Sequence, residues 1–309
     1  MKLIIVGLGG VGGIVGGRLA AGLSQTKEHE VVFWCRGKTL ESVRESGIQL
    51  LGGDGCLTVR PALATCDARE AGKADCILFA TKGYHLEDAA RDAVPLTTEK
   101  TVVIPLLNGV SAVSTLEKHL PGDVLGGCIY ISAHVERPGV VRQVGSVQKI
   151  LFGKKGLSLE ENRRRYGSLE GILKKSGIDV VLTERIDTEM WSKFIFLSPF
   201  AGVTTLFGRT VDGVLTDPES FETVGRMIRE IENVARAKGT DLPPDIADLT
   251  LEKARAFAAG TKTSMQVDQE QGRPTELETL IGTICEEGRA LGVPVPTYET
   301  VYRSLKNTA

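Results

Sequence analysis

The sequence predicts an α/β protein in two parts, a doubly wound parallel sheet over residues 1–183 followed by an all-α domain over residues 184–309. Three observations carry this. A glycine-rich stretch sits where a short apolar run gives way to helical periodicity. Strand-length apolar runs then alternate with amphipathic segments as far as residue 182, the pattern of a parallel sheet with crossover helices. From about Arg185 the apolar spacing is helical almost throughout.

The first element is Leu3 to Val6, an apolar run of the length of a buried parallel strand. It breaks into Gly7, Gly9 and Gly12, the G-x-G-x-x-G spacing, and Val11, Ile14, Val15 and Leu19 follow at helical intervals. In that context Gly7 permits a tight turn, Gly9 lets backbone approach a pyrophosphate, and Gly12 lets the helix lie close on the strand. With Leu8, Gly10 and Val11 they form the expected dinucleotide cradle, and the helix N-terminus offers N–H groups to phosphate. Lys2 and the uncharged run to Gly17 share features with a signal peptide. Seven glycines in that run and the interruption at Arg18 argue against one.

A polar loop over 25–30 leads to a second strand, Val31 to Cys35. An acidic residue at its end would hold a ribose 2′-hydroxyl, but here stand Arg36 and Lys38. Two cations suit a 2′-phosphate, so NADP(H) is expected, although two solvated loop charges fit the same residues. A helix over 40–45 and strand-like runs at 48–51 and 57–59 lead to a strand at Cys76–Ala80, which ends in Thr81-Lys82. Another run, Val102 to Leu107, ends in Asn108-Gly109 before a helix from about Ser111 to His119. Ligands collect at such carboxyl ends of strands. Runs at 125–133, 140–143 and 148–152 read as strands closing this domain by antiparallel pairing. A helix over 159–175 and a strand at 178–182 complete it.

In the second domain, Val224, Ile228, Ile231 and Ala235 mark one helix, with Thr216 to Glu219 as a capping box and Pro218 at N1. Further helices are expected over 244–259, 264–271 and 274–291. Lys193 lies among Trp191, Phe194, Phe196 and Phe200; alone, it reads as a lysine snorkelling along a helix. Ser264 suits an N-cap, and Glu276 suits N3 of a helix whose N1 is Pro274. Those roles account for both residues without catalysis.

Apolar residues make up 42% of the chain and charged ones 25%, with a net charge of -2, so nothing demands nucleic acid or an anionic membrane as partner. No run approaches the roughly twenty apolar residues of a membrane span. The six cysteines include no C-x-x-C pair and no zinc spacing, so no metal is expected, and Cys35, Cys76 and Cys128 fall in buried strands. A reducing cytoplasm suits them.

Taken together, Gly7-x-Gly9-x-x-Gly12, Arg36, Thr81-Lys82, Asn108-Gly109, Trp191-x-Lys193 and Ser264-Met265 twelve residues before Glu276 in Arg273-Pro-Thr-Glu276 resemble the ketopantoate reductase (2-dehydropantoate 2-reductase) family. The resemblance runs over essentially the whole chain. It implies a Rossmann domain followed by a helical domain like that of 6-phosphogluconate dehydrogenase, NADPH-dependent reduction of a 2-oxo acid bound between domains, a role in pantothenate and coenzyme A synthesis, and a homodimer. It implies that Lys193 protonates or polarises the developing alkoxide and that Glu276 accepts a hydrogen bond from the substrate hydroxyl. Ser264 would bind the carboxylate, Asn108 would hold substrate and Lys193, and Lys82 and Asn108 would lie near the nicotinamide. The family's asparagines four and eight residues after the lysine are Leu197 and Ala201 here, with Pro199 between them expected to kink the helix, unless Ser198 substitutes. That departure keeps a reductase of a less polar 2-oxo acid, or a non-catalytic NADP(H)-binding regulator, as alternatives.

Overall fold

The computed structural model describes residues 1–24, 28–53 and 55–307; residues 25–27 of the expected polar loop lie outside them. Two compact units result. One comprises Met1–Leu107 and Ala112–Ile186; the other comprises Asn108–Ser111 and the chain from Asp187 onward.

Among the described residues the first unit holds eleven strands: β1 (Lys2–Val6), β2 (Glu30–Trp34), β3 (Ile48–Gly52), β4 (Gly55–Val59), β5 (Leu63–Thr65), β6 (Cys76–Phe79), β7 (Val102–Pro105), β8 (Asp123–Val124), β9 (Gly126–Arg137), β10 (Val140–Gly153) and β11 (Asp179–Leu182). Its helices are α1 (Gly10–Leu23), α2 (Gly37–Ser46), α3 (Ala68–Ala71), α4 (Leu86–Ala93), α5 (Ala112–His119) and α6 (Leu159–Lys175). Six strands form a parallel sheet in the order β5-β2-β1-β6-β7-β8. The strand order reverses at β1, which puts the switch point between β1 and β6. This is the expected Rossmann-like sheet.

The antiparallel closure was expected to involve separate runs at 140–143 and 148–152. Instead β10 is one bulged strand, paired antiparallel with β9 and parallel with both β3 and β11, in a second sheet of five strands that also takes in the β3–β4 hairpin. The glycines of α1 explain how two sheets share one helix. A Cβ on Gly16 would lie 3.0 Å from Phe33 of the first sheet, whereas one on Gly13 would meet Val141, and one on Gly17 Leu50, at 2.6 Å in the second. Bare backbone on both flanks lets α1 fill the space between the sheets. At the far end of this unit, Ser158 and Glu161 close a reciprocal capping box on α6.

The second unit is helical: α7 (Ile186–Phe207), α8 (Val211–Thr216), α9 (Pro218–Ala237), α10 (Ile246–Arg255), α11 (Ser264–Glu270), a π-helical segment (Glu278–Gly282), α12 (Thr283–Leu291) and α13 (Pro296–Lys306). Three expectations are corrected here. The α9 cap is Asp217, whose carboxylate accepts from Ser220 N, while the Thr216 hydroxyl turns back to the carbonyls of Asp212 and Gly213. Thr263, not Ser264, caps α11. The helix expected from Pro274 begins only at the π segment, so neither Pro274 nor Glu276 has an N1 or N3 role.

Candidate active site

In the first unit the glycine turn is built from backbone alone. Gly7 adopts φ +89°, closed to most side chains, and its N–H donates to Trp34 O at 3.0 Å. A Cβ on Gly12 would come within 1.9 Å of Gly7 O, and one on Gly10 within 2.4 Å of Ala133 O. These positions are glycine because backbone packs on backbone there. Gly9 differs: it is exposed, has ordinary φ of -72°, and nothing lies within 4 Å of where its Cβ would be. The open side of Gly9 is where a ligand can approach. Leu8 is buried and Val11 half-buried on either side of it.

Two further features fit a pyrophosphate here. No side chain caps the N-terminus of α1, and its first turn holds no acid to repel an anion. Beside the turn, Thr81 packs its methyl 3.0 Å from the Gly7 Cβ position and keeps a buried Oγ1 with no hydrogen-bond partner among the described residues. Such a hydroxyl is costly unless something bound there uses it. After β2, Arg36 stands at the N-cap of α2, 73% exposed, with Nη2 3.6 Å from Asp92 Oδ2. Lys38 is exposed in the next turn, and half-buried Lys82 follows β6.

In the second unit a polar centre is assembled along α7. Lys193 is half-buried, and its Nζ donates to Asn108 Oδ1 at 3.1 Å. Asn108 reaches it because the 108–111 loop after β7 packs with this unit. Gly109, at φ +96°, permits the turn and lies where a Cβ would be 3.0 Å from Thr279 of the π segment. One turn beyond Lys193, the Ser198 hydroxyl donates to Leu280 O at 2.7 Å and lies 2.9 Å from the Tyr298 hydroxyl. Near its end, α7 meets the cap of α11, with Thr204 Oγ1 2.8 Å from Thr263 Oγ1. Asn108 is thus bonded to Lys193 itself, whereas the segments of Ser264 and Glu276 meet this helix through Thr263 and Leu280.

Glu276 is buried, 5% exposed, and its carbonyl accepts from Leu280 N at 2.8 Å. The loop before it is pinned by Arg273, which grips Asp268 Oδ1 through Nε at 2.8 Å and Nη2 at 2.6 Å. Asp268 and Tyr298 were not singled out from sequence; an acid five residues before an arginine carries no signal of its own. Ser264 is exposed at the first position of α11. Among the described residues no cluster of three or more His, Cys, Asp or Glu is placed to hold a metal, and no helix is long and apolar enough to cross a membrane.

Known proteins match both units. The family model for ketopantoate reductase PanE/ApbA matches residues 3–156, and the model for its C-terminal part matches residues 185–309. The chain belongs to the ketopantoate reductase family. Among its relatives, an uncharacterized oxidoreductase, YkpB of Bacillus subtilis (strain 168), is 30% identical over 99% of this chain and 98% of its own. A 2-dehydropantoate 2-reductase of Mesorhizobium japonicum is 27% identical over 100% and 98%. The crystal structure of 2-dehydropantoate 2-reductase from Porphyromonas gingivalis W83 superposes with a TM-score of 0.86 at 30% identity, covering 99% of each chain. Membership makes the protein a NAD(P)-dependent oxidoreductase, which agrees with the glycine turn.

Against the ketopantoate reductase pattern, the residues after Lys193 stand out. Leu197 is half-buried and Ala201 is 1% exposed, so neither offers a polar group. Ser198 does not replace them: it is fully buried and committed to Leu280 and Tyr298. Pro199 is absorbed within α7, which continues unbroken to Phe207.

Proposed function

We propose that the protein reduces 2-dehydropantoate (ketopantoate) to pantoate with NADPH, in the supply of pantothenate and coenzyme A. The hydrogen bond from Lys193 to Asn108, buried enough to fix the ammonium and still partly open, is the observation that carries this reading. When bound, the reduced nicotinamide supplies the hydride that turns the keto carbon into a secondary alcohol. Lys193 Nζ polarises the keto oxygen and gives it a proton as negative charge develops, and the same ammonium holds Asn108 through a second N–H. Glu276 accepts from the substrate hydroxyl, and Ser264 donates to the carboxylate. The glycine turn and the Thr81 hydroxyl take the pyrophosphate, and Arg36 with Lys38 takes the 2′-phosphate. The curated relatives named as 2-dehydropantoate 2-reductases support the substrate.

A second reading keeps the chemistry and changes the acid. With half-buried Leu197 on the turn after Lys193 and Ala201 sealed in the core, a 2-oxo acid without the hydroxyl meets an apolar side chain there and leaves no polar group unpaired. A site built for hydrogen bonding discriminates by orders of magnitude, whereas an apolar wall does not. Steady-state kcat/KM for ketopantoate, ketoisovalerate and ketoisocaproate ranks the two. Ketopantoate leading the series supports the first reading; a higher value for the unhydroxylated acids replaces it with the second.

A further inference from the structure

Two thiols that the reduction does not use directly follow the paired strands β2 and β5 of the parallel sheet. β2 and β5 pair with Val32 opposite Leu63, Phe33 opposite Ala64 and Trp34 opposite Thr65. Cys35 N donates to Thr65 O at 3.2 Å, the bond that closes the Trp34–Thr65 pair. Cys35 and Cys66 are the residues that directly follow this last pair along the two strands. Adjacent parallel strands lie about 4.8 Å apart, so residues that directly follow a register pair start from a spacing within the roughly 4.4–6.8 Å between Cα atoms that a disulfide spans. Phe33 and Ala64, two residues back, face the same core as Cys35. Both cysteines are free thiols, Cys35 buried and Cys66 exposed. Burial first, and then the neighbouring Cys66, push the Cys35 thiol up to about 12, opposed by the Arg44 guanidinium.

We infer that Cys35 and Cys66 form a modification site for a small-molecule disulfide, and that their closure into a disulfide disables the ribose-phosphate end of the dinucleotide site. Exposed Cys66 is the point of attack. As a thiolate it displaces one sulfur of R–S–S–R, forming a Cys66–S–R bond, and the leaving thiolate takes up a proton. Cys35 then loses its proton and attacks Cys66 Sγ; the protein disulfide forms, and the second R–S⁻ leaves and is protonated. Two protein thiols lose two electrons and one external disulfide becomes two thiols. The new bond ties Cys35, and with it Arg36 at the N-cap of α2, to the loop where Asp67 caps α3. This second half rests on the proposed placement of the 2′-phosphate at Arg36.

The test treats the full chain with oxidised glutathione and reads two signals. Peptide mass mapping is expected to show a Cys35–Cys66 link, two hydrogens lighter than the reduced pair. NADPH titration is expected to show about tenfold weaker binding, the equivalent of one lost charge-assisted contact, reversed by dithiothreitol. Cys66→Ser should abolish both signals, and Cys56→Ser, which removes the other exposed thiol, should keep both. A lasting glutathione adduct on Cys66 without the link, a link through Cys56, or linked protein that binds NADPH as before overturns the inference. Reduced protein that binds no NADPH overturns the dinucleotide reading instead, with the mapped bond still deciding the thiol pair.

Discussion

The two candidate sites are made in opposite ways. The dinucleotide turn occupies six consecutive residues, Gly7 to Gly12, and works through backbone that a side chain would block at 1.9 Å or 2.4 Å. The helix of Lys193 instead takes hydrogen bonds from separate parts of the chain, Asn108 at Lys193 itself, Leu280 and Tyr298 at Ser198, and Thr263 at Thr204. A local site of this kind fails by steric overlap. A distributed one fails by losing a partner, so substitutions should separate stability from turnover differently in each.

The largest effect is expected at Lys193. Lys193→Ala should lower kcat by about 10²–10⁴-fold, the range of a positioned acid, while NADPH affinity stays unchanged in fluorescence titration. An unchanged kcat would assign the proton to another group. Within the glycine turn, the same substitution at two positions should divide cleanly. Gly12→Ala should cost about 1–3 kcal/mol in urea unfolding because its methyl meets the Gly7 carbonyl. Gly9→Ala should leave stability within about 0.5 kcal/mol and weaken the dinucleotide by about tenfold. Equal unfolding midpoints for the two variants would contradict the backbone packing described. Next, Arg36→Ala should weaken NADPH by about tenfold and NADH much less, since one charge-assisted contact to phosphate is lost; equal losses would remove the reason for choosing the phosphorylated cofactor.

The smallest expected effect concerns acid. Backbone donation from Ser158 lowers the Glu161 carboxyl in the first unit, and backbone donation from Ser220 does the same for Asp217 in the second. Both groups hold more tightly as carboxylates in the folded chain. Their contribution is present above the ordinary carboxylate range, about 3.9–4.3, and disappears as pH falls through the lowered values. Calorimetric Tm should therefore drop between pH 5 and 3. Asp217→Asn should lower Tm at pH 6, by a margin that shrinks toward pH 3; a constant margin would mean the cap does not titrate as described.

What was legible in the sequence was what neighbours in the chain decide. The run Leu3–Val6, the glycine spacing, the span of α6 and Pro218 at N1 of α9 all follow from local chemistry. Three-residue β5 was missed because an edge strand needs so little apolar sequence. The second sheet was hidden because β3 and β10 pair residues about ninety positions apart. Pro274 was misread because a proline before a helix usually marks N1. Here Arg273 is held to Asp268, and the chain reaches helical geometry only after Glu276. The bond from Lys193 to Asn108 was implied by the family resemblance, but those of Ser198 were silent, since nothing near it in sequence announces Tyr298 or Leu280.

The hydroxyls of Ser198 and Tyr298 tie α13 to the helix that carries Lys193. Tyr298 is fully buried, its N–H and that of Thr297 are held by the Glu230 carboxylate of α9, and its phenol lies beside Ser198, five residues from Lys193. With Lys193 as the proposed acid, one hydroxyl contact joins the last helix to the helix that presents the ammonium, and Tyr298→Phe removes that contact while leaving every group assigned to the 2-oxo acid in place.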